Sequence, residues 1–362
     1  MLQWAHDEER CPWDKLTCEL AARAGHLEVL RWASDNGCPL SNEICWESAG
    51  GGHLEVLRWA REHGCDWDKN TCAHAAQGGH LEVLRWAREH GCPWDATMYD
   101  VDTDCSSLAA SGGHLVVLKW LWEHGYPMDE ATCSSAAEGG HLEVLKWAWE
   151  QDCPWDESTC QCAAEGGHLE VLVWAREHHC PWDESICSDA AGGGHMEVLK
   201  WAREHDCPWD AETCAVAAKG GHLEMLQYLR EQGCPWSVKT CSCAAVGGHL
   251  EVLQWAREHD CPWNESTCVC AAQAGRLEML RWAREHGCPW NVWVAMMAAE
   301  KGHLEVLQWA LQNDCPWSES IFVCARGGGY TEVIRWLIMY AKANGCPGSG
   351  DNVCEGKRVP GE

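Results

Sequence analysis

Apolar residues in this chain recur with the period of a helix rather than that of a strand. In LEVLVWARE (169–177), Leu169, Val171, Leu172, Trp174 and Ala175 are apolar while Glu170, Arg176 and Glu177 are charged. Spacings of three and four put the apolar set on one stripe of an α-helix. The stripe is too wide for a helix covered on one side only, so the segment is expected to pack between two neighbours, with Glu170, Arg176 and Glu177 in water. The block GHLEVL, or a close variant, returns along the whole chain. Its second position is occupied by His26, His53, His80, His114, His141, His168, His195, His222, His249, Arg276, His303 and Tyr330. The steps are 27 residues, apart from one of 34 between His80 and His114. A fixed period of this length marks a repeat architecture. Twelve units follow, with no room left for a separate globular domain.

The polar positions divide each unit into two helices. Twelve residues ahead of the His column stand Ser, Asp or Asn, among them Asp14, Ser41, Asp68, Asp129, Asp156, Asp183, Asp210, Ser237, Asn264, Asn291 and Ser318, with Asp95 taking the place in the longer unit. These side chains cap helix N-termini, so a short first helix starts there and ends near a Gly pair such as Gly166-Gly167. The second helix covers the LEVLRWAREH stretch. Eleven residues after the His column come Gly37, Gly64, Gly91, Gly125, Asp152, His179, Asp206, Gly233, Asp260, Gly287 and Asp314. These residue types tolerate the left-handed turn that closes a helix. Helix, tight turn, helix and short loop therefore alternate, and units that bury their faces against their neighbours build a solenoid.

The segment AAEGGHLEVLVWAREHHCPWD (163–183) resembles the core of an ankyrin repeat: Ala163-Ala164 and Gly167-His168-Leu169-Glu170-Val171 align with it without gaps. The unit is shorter than the roughly 33 residues of an ankyrin repeat, and the missing residues fall in the hairpin between units. Thr159 stands where the family has Pro, and GCPWD replaces the family's turn. The chain is similar to a short-repeat ankyrin variety of protists and giant viruses. The resemblance implies an all-α, ankyrin-like solenoid of about twelve helix–turn–helix units with truncated hairpins. It spans residues 1–347, with an insertion near 97–104 and a Gly-rich, disordered tail over 348–362.

Composition narrows the function. The 46% hydrophobic content argues against disorder. No apolar run reaches the roughly 20 residues of a membrane helix, and MLQWAHDEER is no signal peptide, so a cytoplasmic location is expected. The formal charge of −28 leaves no basic patch for phosphates and argues against nucleic acid. No nucleotide-binding or nucleophile-elbow motif occurs, and a residue repeated in every unit cannot define one catalytic centre. No enzyme activity and no cofactor are expected.

The repeat explains the 27 Cys, 26 Trp and 20 His. Cys153 with Cys160, Cys180 with Cys187 and Cys207 with Cys214 occur in C-P-W-D-x-x-x-C, which invites a zinc reading. The pattern lapses at Tyr126, Ala295 and Phe322 while apolarity persists. We therefore favour packing: Trp155 and Cys160 form a hydrophobic staple around the cap Asp156, as do Trp317 and Phe322, and the other Cys column behaves as a small hydrophobe. Metal binding and disulfides stay open as alternatives. The His of GHLEVL is expected to be structural, as is the second column (His63, His90, His124, His178, His205, His259, His286), which sits at the C-terminal pole of the second helix. The second-helix Trp column (Trp32, Trp59, Trp86 and so on) is expected to be core, with Trp46, Trp122, Trp149 and Trp293 outside both Trp columns. In the insertion, Asp100, Asp102 and Asp104 alternate as in a calcium loop, but Cys105 and Ser111 stand where Gly and Glu are required, so a solvated acidic loop is expected.

Function in such an array resides in positions that vary between similar units. The most varied column closes the first helix: Arg23, Gln77, Ser111, Glu138, Glu165, Lys219, Val246, Gln273 and Glu300, with Gly50, Gly192 and Gly327 in the remaining units. In ankyrin repeats the matching position lies on the concave face, so the resemblance implies partner binding there. The expected function is a monomeric, non-catalytic scaffold for a protein partner, a basic one given the acidic surface. The alternatives are a Cys/His metal-binding or redox array, and an adaptor fragment of a larger protein, since Met1–Asp7 matches the second half of a unit.

Overall fold

The computed structural model describes residues 15–94, 104–183 and 185–346. The start at Met1–Asp7, the caps Asp14 and Asp95, Asp100 and Asp102 of the acidic insertion, and the tail from 348 lie outside the described residues. Among those described there are 24 helices and no strand. No helix is long and apolar enough to cross a membrane. The chain divides into two compact units, Met1–Ile186 and Cys187–Glu362. In the first, the helices run in pairs from Lys15–Arg23 with Leu27–Asp35 to Glu157–Glu165 with Leu169–Glu177. In the second, they run from Met196–Glu204 to the pair Ser320–Gly327 and Thr331–Asn344, while Ser185–Gly193 spans the junction. Within each unit, first helices pack side by side: Glu130–Glu138 lies between Cys105–Ser111 and Glu157–Glu165, and Val238–Gly247 between Ala211–Gly220 and Glu265–Gln273. First helices also pack on their own second helices, as Glu130–Glu138 does on Leu142–Glu150 and Val238–Gly247 on Leu250–Glu258. Each compact unit is thus a run of stacked helical hairpins, an ankyrin-like helical solenoid.

Cap chemistry decides where the first helices begin. Asp156 accepts the Ser158 amide at 3.0 Å, Asp210 the Glu212 amide at 2.8 Å, and Asn264 the Ser266 amide at 3.0 Å. Asp183, Asn291 and Ser318 do the same for Ser185, Trp293 and Ser320. Each bond satisfies an amide that the helix itself leaves orphaned. Three positions depart from expectation. One first helix starts at Ser320 behind Glu319, so Ser318 holds the Ser320 amide from one residue further out. Ser41 donates to Glu19 at 2.9 Å instead of capping, and the following helix starts at Glu43. In the unit with the insertion the cap is Asp104, which accepts the Ser107 amide at 2.8 Å and opens a helix of only seven residues. The longer connection moves the cap nearer the helix end.

The turns explain the Gly pair. At Gly139 an added Cβ would sit 2.6 Å from the carbonyl oxygen of Ser111 in the preceding unit. At Gly140, φ is +72° and a Cβ would meet the imidazole of His168 in the following unit, 2.6 Å from Cε1. The first glycine allows a close backbone approach, and the second combines a left-handed conformation with a ring laid against its Cα. Second helices end as expected, with positive φ at Gly37, Gly64, Gly91, Gly125, Gly233 and Gly287 and also at Asp152, His179, Asp206, Asp260 and Asp314.

The core is drawn from both helices. Ala163, Ala164, Leu172, Ala175 and Cys160 are fully buried in one unit, and Ala217, Ala218, Leu226, Leu229 and Cys214 in another. Each buried Leu contributes about 1.5–3 kcal/mol, and the Ala pair lets neighbouring first helices approach closely.

Candidate partner-binding surface

The varied column lies at the ends of the first helices. Arg23, Gln77, Ser111, Glu138 and Glu165 each close a first helix of the first compact unit, and all five are exposed. In the second compact unit, Gln273 and Glu300 close their helices and Lys219 and Val246 stand one residue earlier; Lys219, Val246 and Gln273 are exposed and Glu300 is half-buried. Arg23 pairs with Glu47 at 3.7 Å, and Glu300 with Lys301 at 3.0 Å.

The backbone of this column has a role that sequence reasoning missed. His53 Nε2 donates to the carbonyl of Arg23 at 3.1 Å, His114 to Gln77 at 2.9 Å, His141 to Ser111 at 2.9 Å, His168 to Glu138 at 2.8 Å, and His303 to Gln273 at 3.0 Å. A carbonyl only accepts, so Nε2 carries the proton. Where these bonds form, the His column ties a unit to the one before it, holding the carbonyls beneath the varied side chains. Arg276 and Tyr330, in the same column, lie against Gly248 and Gly302 as the imidazoles do against their own glycines. Burial holds His80 below the ordinary histidine range, partly opposed by its bond to Gly50.

The second His column satisfies carbonyls at helix ends. His63 Nδ1 donates to Trp59 and His90 Nδ1 to Trp86, both at 2.8 Å, and Asn313 Nδ2 does likewise to Trp309 at 2.8 Å. Each imidazole also stacks on the indole it bonds beneath, as in Trp174–His178 with centroids 4.2 Å apart.

The Trp column corrects the expectation of a core. Trp59 and Trp120 are buried, at 6% and 9% exposure, but Trp32, Trp86, Trp147, Trp174, Trp201, Trp255, Trp282, Trp309 and Trp336 are only half-buried. An indole is larger than the Leu the resemblance places there, and its outer edge reaches beyond the packed stripe. That edge meets the loop Trp of the same unit edge-on, as in Trp67–Trp86 at 5.6 Å and Trp236–Trp255 at 6.0 Å. Nor is Arg176 simply in water. Its guanidinium lies 4.3 Å from the centroid of Trp182, and Nη1 donates to the Cys180 carbonyl. Arg88 repeats the clasp, 3.9 Å from Trp94 and 2.6 Å from the Cys92 carbonyl. The recurrence of Arg six residues before Trp was the signal for this. Beside the clasps lie shallow clefts, one of about 600 Å³ lined by Arg85, Arg88 and Trp94 together with Trp120, Glu123 and His124 of the next unit.

The cysteines pair differently from the sequence spacing. Sulfurs twenty residues apart meet within one repeat: Cys18 with Cys38, 2.9 Å apart, and Cys133 with Cys153, Cys160 with Cys180, Cys187 with Cys207 and Cys214 with Cys234. All ten are buried and reduced. Hydrogen bonding to Cys180, and then burial, push the Cys160 thiol up. Burial, foremost, and then the neighbouring Cys65 take Cys45 to about 12, opposed by Arg61. Where Ser106 replaces the first member, the second is Tyr126, whose hydroxyl accepts the Cys105 amide at 3.2 Å. Where the staple ends in an aromatic ring, the rings touch: Trp317 and Phe322 lie 5.8 Å apart. No group of three His, Cys, Asp or Glu is gathered as a metal site would need, among the described residues.

Comparison with known proteins adds little to this geometry. No protein-family model matches the chain, and no curated protein matches it by sequence. Among solved structures, the ankyrin repeat domain of human ASB11 matches over 45% of this chain and 84% of its own, at 18% identity and a TM-score of 0.37. The stronger ground is internal: the paired helices and the unit-to-unit histidines make this chain a helical-repeat protein, and its Ala-Ala and Gly-Gly-His-Leu-Glu core resembles that of an ankyrin repeat.

Proposed function

We propose that the chain is a non-catalytic scaffold that binds a partner protein through the side chains closing its first helices. One observation carries the reading: side chains that differ from unit to unit close successive first helices, and the carbonyls of Arg23, Gln77, Ser111, Glu138 and Gln273 are each held by a histidine of the following unit. A fixed backbone with varied, exposed side chains presents a specific surface at low ordering cost. The ankyrin resemblance, which implies a concave face for this column, supports the reading. Arg23, Gln77, Ser111, Glu138 and Glu165 form one row, and Lys219, Val246, Gln273 and Glu300 another. The acid excess favours a basic partner, chiefly through association rate. In this reading the protein acts as a cytoplasmic monomer, with one repeat domain over 1–347, a tail over 348–362, and no cofactor. An affinity pull-down comparing wild type with Glu138→Lys, Glu165→Lys and Lys219→Glu tests it. Loss of the captured partner in at least one variant is expected, and unchanged capture in all three would remove the surface. The metal-array alternative predicts zinc near stoichiometry with the units in protein purified without chelator, whereas the pairing and burial of the thiols favour packing.

A further inference from the structure

Two tryptophans that belong to neither column, Trp122 and Trp149, stand eight residues after His114 and His141, where sibling units carry the clasp arginine. In seven other units that arginine lies 3.9–4.4 Å from an indole centroid. The exchange of Arg for Trp has two consequences. It exposes two large rings, Trp122 at 41% and Trp149 at 40%. It also removes two cations from an acidic stretch, for residues 115–157 hold nine carboxylates against two lysines. Lys146 is tied to Glu143 at 2.9 Å, and the Lys119 ammonium lies 5.8 Å over Trp147. Exposed Glu123 and Glu150 directly follow the two rings. Trp149 joins a cluster with Trp155 and Trp174, at 6.3 and 5.8 Å, and with His178 at 4.9 Å. Trp155 is the indole a clasp arginine would have covered.

We propose that Trp122 and Trp149, with Glu123 and Glu150, form a docking surface for a basic segment of a partner protein that lays arginine side chains on the indoles. The array itself shows the chemistry this position takes: a guanidinium against Trp. In these two successive units a ring takes its place and is presented to solvent beside carboxylates. A planar guanidinium stacks on an indole and reaches a carboxylate with its free donors, whereas an ammonium does this less well. The surface lies on second helices of the first compact unit, apart from the first-helix row, so it can stand or fall independently of that row.

Calorimetric titration of the full chain at low salt, with the peptide acetyl-GRGGRGGRG-amide and its Lys and citrulline counterparts, tests the assignment. The variant Trp122→Arg/Trp149→Arg restores the residue that sibling units carry and so keeps the fold. Its affinity for the Arg peptide is expected to fall by about tenfold or more, the worth of two exposed cation–π contacts. Glu123→Gln/Glu150→Gln should weaken binding as well, the Lys peptide should bind less tightly, and the citrulline peptide should not bind. Unchanged affinity in the Trp variant, equal binding of the citrulline peptide, or no binding of the Arg peptide by wild type would overturn the proposal. So would loss of binding in Glu138→Lys/Glu165→Lys alone, which would place the peptide on the first-helix row. Self-association of wild type abolished by the Trp variant would assign the face to a second copy of this chain instead.

Discussion

If the unit-to-unit histidine bond is what stacks the repeats, a methyl group placed at Gly140 should cost more than backbone strain alone. Gly140 and Gly64 share a left-handed backbone, with φ of +72° and +82°. Only the first faces a neighbour: a Cβ at Gly140 would press on the His168 ring, whereas at Gly64 nothing lies within 4 Å. Gly64→Ala should therefore cost about 1–2 kcal/mol, the price of a left-handed Ala. Gly140→Ala carries that strain and must also displace His168, whose Nε2 bond to Glu138 is 2.8 Å long. A lost hydrogen bond is worth about 0.5–1.5 kcal/mol, and an imidazole forced off its rotamer about as much. The excess of Gly140→Ala over Gly64→Ala should thus be about 1–3 kcal/mol. Urea unfolding followed by far-ultraviolet circular dichroism measures both. His168→Ala supplies the cycle: with the ring gone, the double variant should be more stable than the two single costs predict, by about that excess. Equal costs for the two glycines, or additive behaviour with His168→Ala, would show that the ring is not the lock between units.

Acidification should weaken the array. His80 has its folded pKa lowered by burial, so its neutral form is the favoured one in the folded chain. Its contribution is complete above the ordinary value of 6.5 and is lost as pH falls below that toward the folded value. Thermal melts should show a smaller loss between neutral pH and about pH 5 in His80→Arg, the residue Arg276 already places in this column; an identical loss would exclude His80 as a source. Arg88→Ala removes both the contact over Trp94 and the bond to the Cys92 carbonyl. It should cost about 1–2 kcal/mol by urea unfolding, and a neutral result would make the clasp incidental. With Ellman's reagent, half-buried Cys162, Cys243, Cys270 and Cys324 should react in the native chain, while Cys133, Cys153, Cys160 and Cys180 wait for unfolding. Rapid native modification of the pairs would contradict their packing role.

Most of the local structure was legible from the residues alone. Helix type followed from the three–four spacing of Leu169, Val171, Leu172 and Ala175. The starts followed from caps such as Asp156 and Asn264, and the ends from Gly or Asp at the left-handed position. These signals act within one helix or one turn, so a linear reading contains them. Burial of the Ala pairs and of the cysteines was legible for the same reason.

What the chain does between elements could not be read this way. Sequence proximity suggested Cys153 with Cys160, but the structure sets Cys160 against Cys180, because the loop after the second helix returns to the start of the first within one repeat. The GHLEVL histidine reaches the preceding unit's last first-helix carbonyl rather than its own turn, since stacking brings the Gly pair beneath the next ring. The outer edge of the indoles stays wet because only the packed dimensions of neighbouring helices decide how much of a Trp is covered. Period, caps and turns are properties of one repeat and were determined by sequence. Which side chains face a neighbour and which face water is a property of two repeats together, and only tertiary packing decides it.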